Sequence, residues 1–272
     1  MLDLNRLYQE RVVYSITGME KALLREDLTY RELGGGDDLK LDIYYPPKYK
    51  PGSPLPAVVL IHGEWPPHII RHSKDLGAYV SWGQIIASSG LIAVNFNHRA
   101  TERFTQVREA ASDVAQLLGY IRYYAKDLDI IANRLCVWTF SAGMPLGMWA
   151  SLRDSPAYVR SIVCYYGVMD LQVPAEILPE DLPADDLRDF SALHYLDQYK
   201  GKIAPTFIAK AGLDNPRLNA TIDRFVARAD RYEAPVTLME HEHGRHGFDV
   251  LNDDERSRDI IRKTLEFVVQ NT

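Results

Sequence analysis

The chain has 272 residues, 46% hydrophobic and 25% charged, a balance that fits one ordinary globular domain spanning 1–272 and excludes a disordered or low-complexity segment. A formal net charge of −6 argues against nucleic acid as a partner, since that binding needs clustered Lys and Arg to displace counterions. Residues 1–30 carry Asp3, Arg6, Glu10, Arg11, Glu20 and Lys21 where a signal peptide has an apolar core, and no stretch approaches the ~18 apolar residues of a membrane span, so a cytoplasmic location is expected.

Residues 4–27 read as one or two helices outside the main sheet, making 1–27 an N-terminal helical extension with no motif that gives it a role. An antiparallel pair follows, 28–33 and 40–45, because Gly34-Gly35-Gly36-Asp37 offers the positive-φ residues of a tight reversal and Pro46-Pro47 ends the second strand. From there, short β-branched apolar runs alternate with longer segments of helical period, the pattern of strands joined by crossover helices in a mostly parallel sheet. The strands are 57–61, 91–96, 135–139, 161–165, 205–209 and 236–240; the helices lie at about 78–88, 107–127, 143–153, 217–231 and 254–270. Cys136 and Cys164 fall inside strand-like runs, where reduced Cys behaves as a small buried hydrophobe.

Residues 168–200 break the alternation. They hold Pro174, Pro179 and Pro183, and from Asp170 to Asp189 seven acidic residues stand against Arg188. The segment is too long for a plain connection, which leaves a solvated excursion or a cap over an active-site mouth.

The strand ending at Thr139 runs straight into Phe140-Ser141-Ala142-Gly143 and then a helix-like stretch, the context of a nucleophile elbow with Ser141 at its apex. The residues two before and two after such a serine are expected to be small. Gly143 satisfies this and Thr139 does not, so altered packing behind Ser141 is expected.

A serine hydroxyl becomes an effective nucleophile when an imidazole takes its proton and a carboxylate orients that imidazole. Asp214, in Ala211-Gly212-Leu213-Asp214-Asn215-Pro216, follows a strand and precedes a helix; its alternative duty is to cap that helix. His241, His243 and His246 cluster after the last strand. His246, between Gly244 and Gly247, is the preferred base, with His243 and His241 as alternatives and a shared cation among these histidines and Glu242 as a competing use. Backbone donors for the oxygen that becomes negative are expected from Ala142 and from the loop His62-Gly63-Glu64-Trp65 after the third strand.

Taken in order, Leu41-Asp42-Ile43-Tyr44, His62-Gly63, Asn97-His98-Arg99, Phe140-Ser141-Ala142-Gly143, Tyr166-Gly167, Asp214 and His246-Gly247-Phe248 make the chain resemble an α/β-hydrolase of the esterase/lipase type over about residues 28–272. Dienelactone-hydrolase-like and acyl-aminoacyl-peptidase-like enzymes are its cousins. The resemblance implies an eight-stranded, mostly parallel sheet flanked by helices with a small cap inserted after strand six. It also implies Ser141 as nucleophile, Asp214 as acid, His246 as base, and the N–H groups of Glu64, Ala142 and Gly63 as oxyanion donors. Many such esterases have His-Gly-Gly, so Glu64 sets a carboxylate beside the hole, where it either repels the oxyanion, selects a cationic substrate group or points away. Trp65 is a candidate pocket wall; Trp82, Trp138 and Trp149 are expected in the core. The implied activity is hydrolysis of a small-molecule ester, thioester or amide with no cofactor and no metal. A homo-oligomer is left open, and the rival reading, which Thr139 and Glu64 favour, is a non-catalytic ligand- or partner-binding protein on the same scaffold.

Overall fold

The computed structural model describes residues 3–172 and 182–272. Among them, eight strands form one sheet: β1 (Leu23–Arg31), β2 (Leu39–Tyr45), β3 (Leu55–Ile61), β4 (Ile92–Phe96), β5 (Ile130–Phe140), β6 (Val159–Tyr165), β7 (Thr206–Ala211) and β8 (Val236–His241). Their order is β1-β2-β4-β3-β5-β6-β7-β8. β2 runs antiparallel to both its neighbours and every other pairing is parallel.

Successive side chains of a strand face opposite sides, and here both sides are apolar, which explains the unbroken hydrophobic runs. In β3, Ala57, Val59 and Ile61 enter one core and Val58 and Leu60 the other; in β5, Leu135 and Val137 oppose Cys136, Trp138 and Phe140. The first core is covered by α4 (Val107–Tyr123), α5 (Met144–Leu152), α7 (Ala192–Gln198) and α8 (Pro216–Arg231), the second by α1 (Leu4–Gln9), α3 (Gly77–Ser88) and α10 (Glu255–Asn271). Short helices α2 (Pro67–Ile70), α6 (Ala184–Asp189) and α9 (Phe248–Leu251) complete the set. Cys136 and Cys164 are free and buried, and Trp82 and Trp138 sit in the second core as expected.

The extension is less helical than the one or two helices expected over 4–27, and its end joins the sheet. Only Leu4–Gln9 and a single 3-10 turn at Met19–Lys21 are helical, and residues 23–27 belong to β1. The strand was hidden because its burial does not alternate: Leu23 and Leu24 are exposed at the sheet edge, the register shifts between Arg25 and Leu28, and Asp27 takes a positive φ while its N–H donates to Asp42. The long segment is also partly helical. Its described residues 168–172 and 182–200 pack on the first core through Met169, Leu171, Phe190, Ala192 and Leu196, with Trp149 against Phe190; residues 173–181 of the expected cap lie outside the described residues.

Candidate active site

β5 delivers Ser141 to the carboxyl end of the sheet in a strained conformation, φ +51°. A non-glycine residue there costs about 1–2 kcal/mol, held by the surrounding close packing. A Cβ on Gly143 would collide with the carbonyls of His62 and Ile61, so that glycine is required. Thr139 is fully buried; its hydroxyl donates to the Val163 carbonyl at 3.1 Å and its methyl faces Gly147, where a Cβ would collide with it. The space that a small residue at 139 would provide is provided instead at 147, one helical turn beyond Gly143. Gly143 and Gly147, four apart on one helix face, were the signal in the sequence for this exchange.

Two loops bring the other side chains to the serine. The loop after β7 is tied to the loop after β8 by Gly212 N–H to the His241 carbonyl and Leu213 N–H to the Gly244 carbonyl, each at 2.9 Å. Gly212 allows this approach, since a Cβ there would strike the Glu242 carbonyl. The result is a continuous chain: His246 Nδ1 lies 2.6 Å from Asp214 Oδ2 and His246 Nε2 lies 2.7 Å from Ser141 Oγ. A carboxylate accepts only, so Nδ1 carries the proton and Nε2 is bare towards the serine hydroxyl. The helix-capping alternative for Asp214 falls to its neighbour, because the Asn215 side chain accepts from Arg217 N–H at the start of α8. His241 stays in the β8 pleat with Nε2 on Asp254, apart from His246, and His243 is exposed.

The loop after β3 approaches the same point. A Cβ on Gly63 would sit 3.0 Å from Ser141 Cβ and 3.3 Å from the Phe140 carbonyl oxygen. The Gly63 N–H donates to the Tyr79 hydroxyl at 3.3 Å, which counts against it as an oxyanion donor and leaves Glu64 and Ala142. The Glu64 carboxylate accepts from Thr101 N–H at 3.1 Å and from Thr101 Oγ1 at 2.6 Å. It is thereby drawn to the buried Thr101 rather than left free beside the serine. Beneath the loop, His62 and His98 stack at 3.7 Å with an interplanar angle of 6°, and burial lowers the pKa of both, His62 strongly.

A cavity of about 280 Å³ opens beside Ser141 and His246, walled by Trp65, Tyr79, Trp82, Phe140, Tyr166 and Leu251. Leu7 and Glu10 from the extension also line it, whereas none of the described residues between 168 and 200 does. Sequence reading missed Asp249. It is fully buried behind His246, accepts from Trp82 Nε1 at 2.9 Å and from the Tyr166 hydroxyl at 2.6 Å, and burial raises its pKa. Tyr166 in turn rests 4.8 Å from the His246 ring, centroid to centroid.

A sheet of this order with a serine elbow, an acid after β7 and a histidine after β8 is an α/β-hydrolase fold. The model of the BD-FAE family, an α/β-hydrolase-type esterase family, matches residues 41–175. No curated protein matches the chain. Among solved structures, the native thermophilic esterase Est2 of the Planctomycetes species Thermogutta terrifontis is similar at 19% identity over 93% of each chain, with a TM-score of 0.71. The same esterase phosphorylated by paraoxon is similar at 19% identity over 93% of each chain (TM-score 0.68), and its butyrate-bound form at 20% over 93% of this chain and 94% of that one (TM-score 0.67).

Proposed function

We propose that the protein is a serine hydrolase that cleaves a carboxylic ester, or a related acyl bond, of a small molecule through an acyl-enzyme on Ser141. The observation that carries this reading is the unbroken chain from Ser141 Oγ through His246 to Asp214 at hydrogen-bond distances. His246 Nε2 takes the hydroxyl proton as Oγ attacks the carbonyl carbon, and Asp214 stabilises the imidazolium formed. The carbonyl oxygen becomes negative between the N–H groups of Glu64 and Ala142. The tetrahedral intermediate collapses, His246 returns the proton to the leaving alcohol, and a water deprotonated by His246 then attacks the acyl-serine. The His246 side chain is 43% exposed, so that water has access.

The two features that favoured a non-catalytic binding protein have structural accounts that do not need one, since Gly147 accommodates Thr139 and Thr101 engages Glu64. A cytoplasmic setting is part of the proposal, in keeping with two free, buried cysteines. The deciding measurement is covalent labelling with a fluorophosphonate, a reagent class akin to the organophosphates carried by the Thermogutta esterase. Labelling that vanishes in Ser141→Ala supports the reading. Folded wild-type protein that resists labelling between about pH 6 and 9 overturns it.

A further inference from the structure

We infer that the N-terminal arm, residues 4–13, is the wall that sets the longest aliphatic chain the cavity beside Ser141 accepts, with Leu7 as its inner face. Leu7 and Val12 are buried in the core that also holds Trp82 and Phe140, and Leu7 and Glu10 line the cavity. The arm is fixed at three places. Val12 N–H donates to Ser81 Oγ at 3.0 Å, Val13 N–H donates to the Asp249 carbonyl at 2.8 Å, and Gly77 lacks the Cβ that would strike the Tyr8 and Glu10 carbonyls.

Beyond the arm lies a second, surface cavity of about 380 Å³, and Glu10, Val250 and Leu251 line both. A single layer of side chains therefore separates the inner cavity from the outside, and the arm contributes part of it. The wall is also in register with the triad, because Asp249 holds the arm by its carbonyl and holds Trp82 and Tyr166 by its carboxylate, three residues after His246. The inference rests on the proposed hydrolase reading for which point of the ester lies at Ser141, while the size limit itself is a property of the cavity.

The test separates the two. In a Ser141→Ala background, binding of methyl esters from acetate to decanoate, and of alkyl acetates of the same lengths, is followed by tryptophan fluorescence, since Trp65 and Trp82 line the site. Affinity is expected to rise about fourfold per added methylene, the equivalent of ~0.8 kcal/mol, until the chain meets the wall, and then to stop rising. Leu7→Ala and the milder Glu10→Ala move that limit to longer chains and Leu7→Trp moves it to shorter ones. With Ser141 intact, the chain-length profile of kcat/KM shifts in the same direction. A limit that stays put in all folded arm variants, or no limit in either series, overturns the wall even if hydrolysis is robust. A limit that moves in protein that neither hydrolyses nor labels leaves the wall standing and removes the hydrolase reading.

Discussion

Glu64 shows how one side chain can change meaning between sequence and structure. Beside an oxyanion hole a free carboxylate would oppose the developing charge, but here both of its recorded partners are donors on Thr101, whose loop then turns through three consecutive positive-φ residues, Glu102, Arg103 and Phe104. On the proposed mechanism, Glu64 is a positioning residue whose side chain, held by Thr101, fixes the angle at which its own N–H meets the substrate oxygen. Glu64→Ala is expected to lower kcat about tenfold, the loss of ~1.4 kcal/mol, with KM little changed, and Glu64→Gln, which keeps one acceptor oxygen, to fall between the two. Steady-state kinetics on a short p-nitrophenyl ester checks this; a normal kcat in Glu64→Ala removes the positioning role. His246→Ala, by contrast, is expected to cost about four to six orders of magnitude in kcat, because triad members act as a unit. Ser141, Asp214 and His246 were legible in the sequence since their chemistry, order and strand-end placement are local properties. The direction of the Glu64 carboxylate, the Gly63 N–H taken by Tyr79 and the buried Asp249 were not, because each depends on a partner distant in the chain.

At the scale of elements, the turn from β5 into α5 works because a methyl and a missing methyl face each other. Thr139 adds volume behind the serine and Gly147 removes the same volume one turn into α5. Gly147→Ala should therefore overpack the elbow and cost about 1–3 kcal/mol, visible as a lower urea midpoint, and it should also reduce activity by tilting α5 against Ser141. Thr139→Ala added to Gly147→Ala should recover most of the loss, since the colliding Cγ2 is gone; two losses that simply add would refute the exchange. The strands from β3 to β7 were readable because both faces of their inner stretches are buried, which writes them as apolar runs, while the edge strand β8 is only partly buried. β1 begins on an exposed, bulged edge and carries no such period, so its first residues looked like part of a helical extension. The arm itself gave no sign of its place at the cavity. Leu7 and Val12 are ordinary apolar residues, and only the docking of the chain against Ser81, Gly77 and Asp249 makes them a wall.

For the whole molecule, the stacked pair of histidines under the oxyanion loop gives stability a specific dependence on pH. His62 and His98 are buried face to face, and burial lowers the pKa of each below its ordinary value. In the unfolded chain both titrate near pH ~6.5, so below that point the unfolded state binds protons that the folded state refuses, and stability falls as pH falls. Above about pH 7 the pair contributes no slope. Between pH 7 and 5.5 a loss of stability is expected, with His62, the more strongly lowered of the two, the larger contributor, before paired carboxylates such as Asp254 begin to be protonated at lower pH. Asp249 works in the opposite sense, because burial raises its pKa and its protonation favours the folded state as pH drops. A variant removes this interference. His98→Asn leaves Asp249 in place and should reduce the change in unfolding free energy between pH 7 and 5.5, whatever it does to stability at pH 7. Urea unfolding at the two pH values gives the comparison directly. An unchanged pH dependence in the variant would mean that His98 binds protons alike in the folded and unfolded states, and its burial would then contribute nothing to the slope.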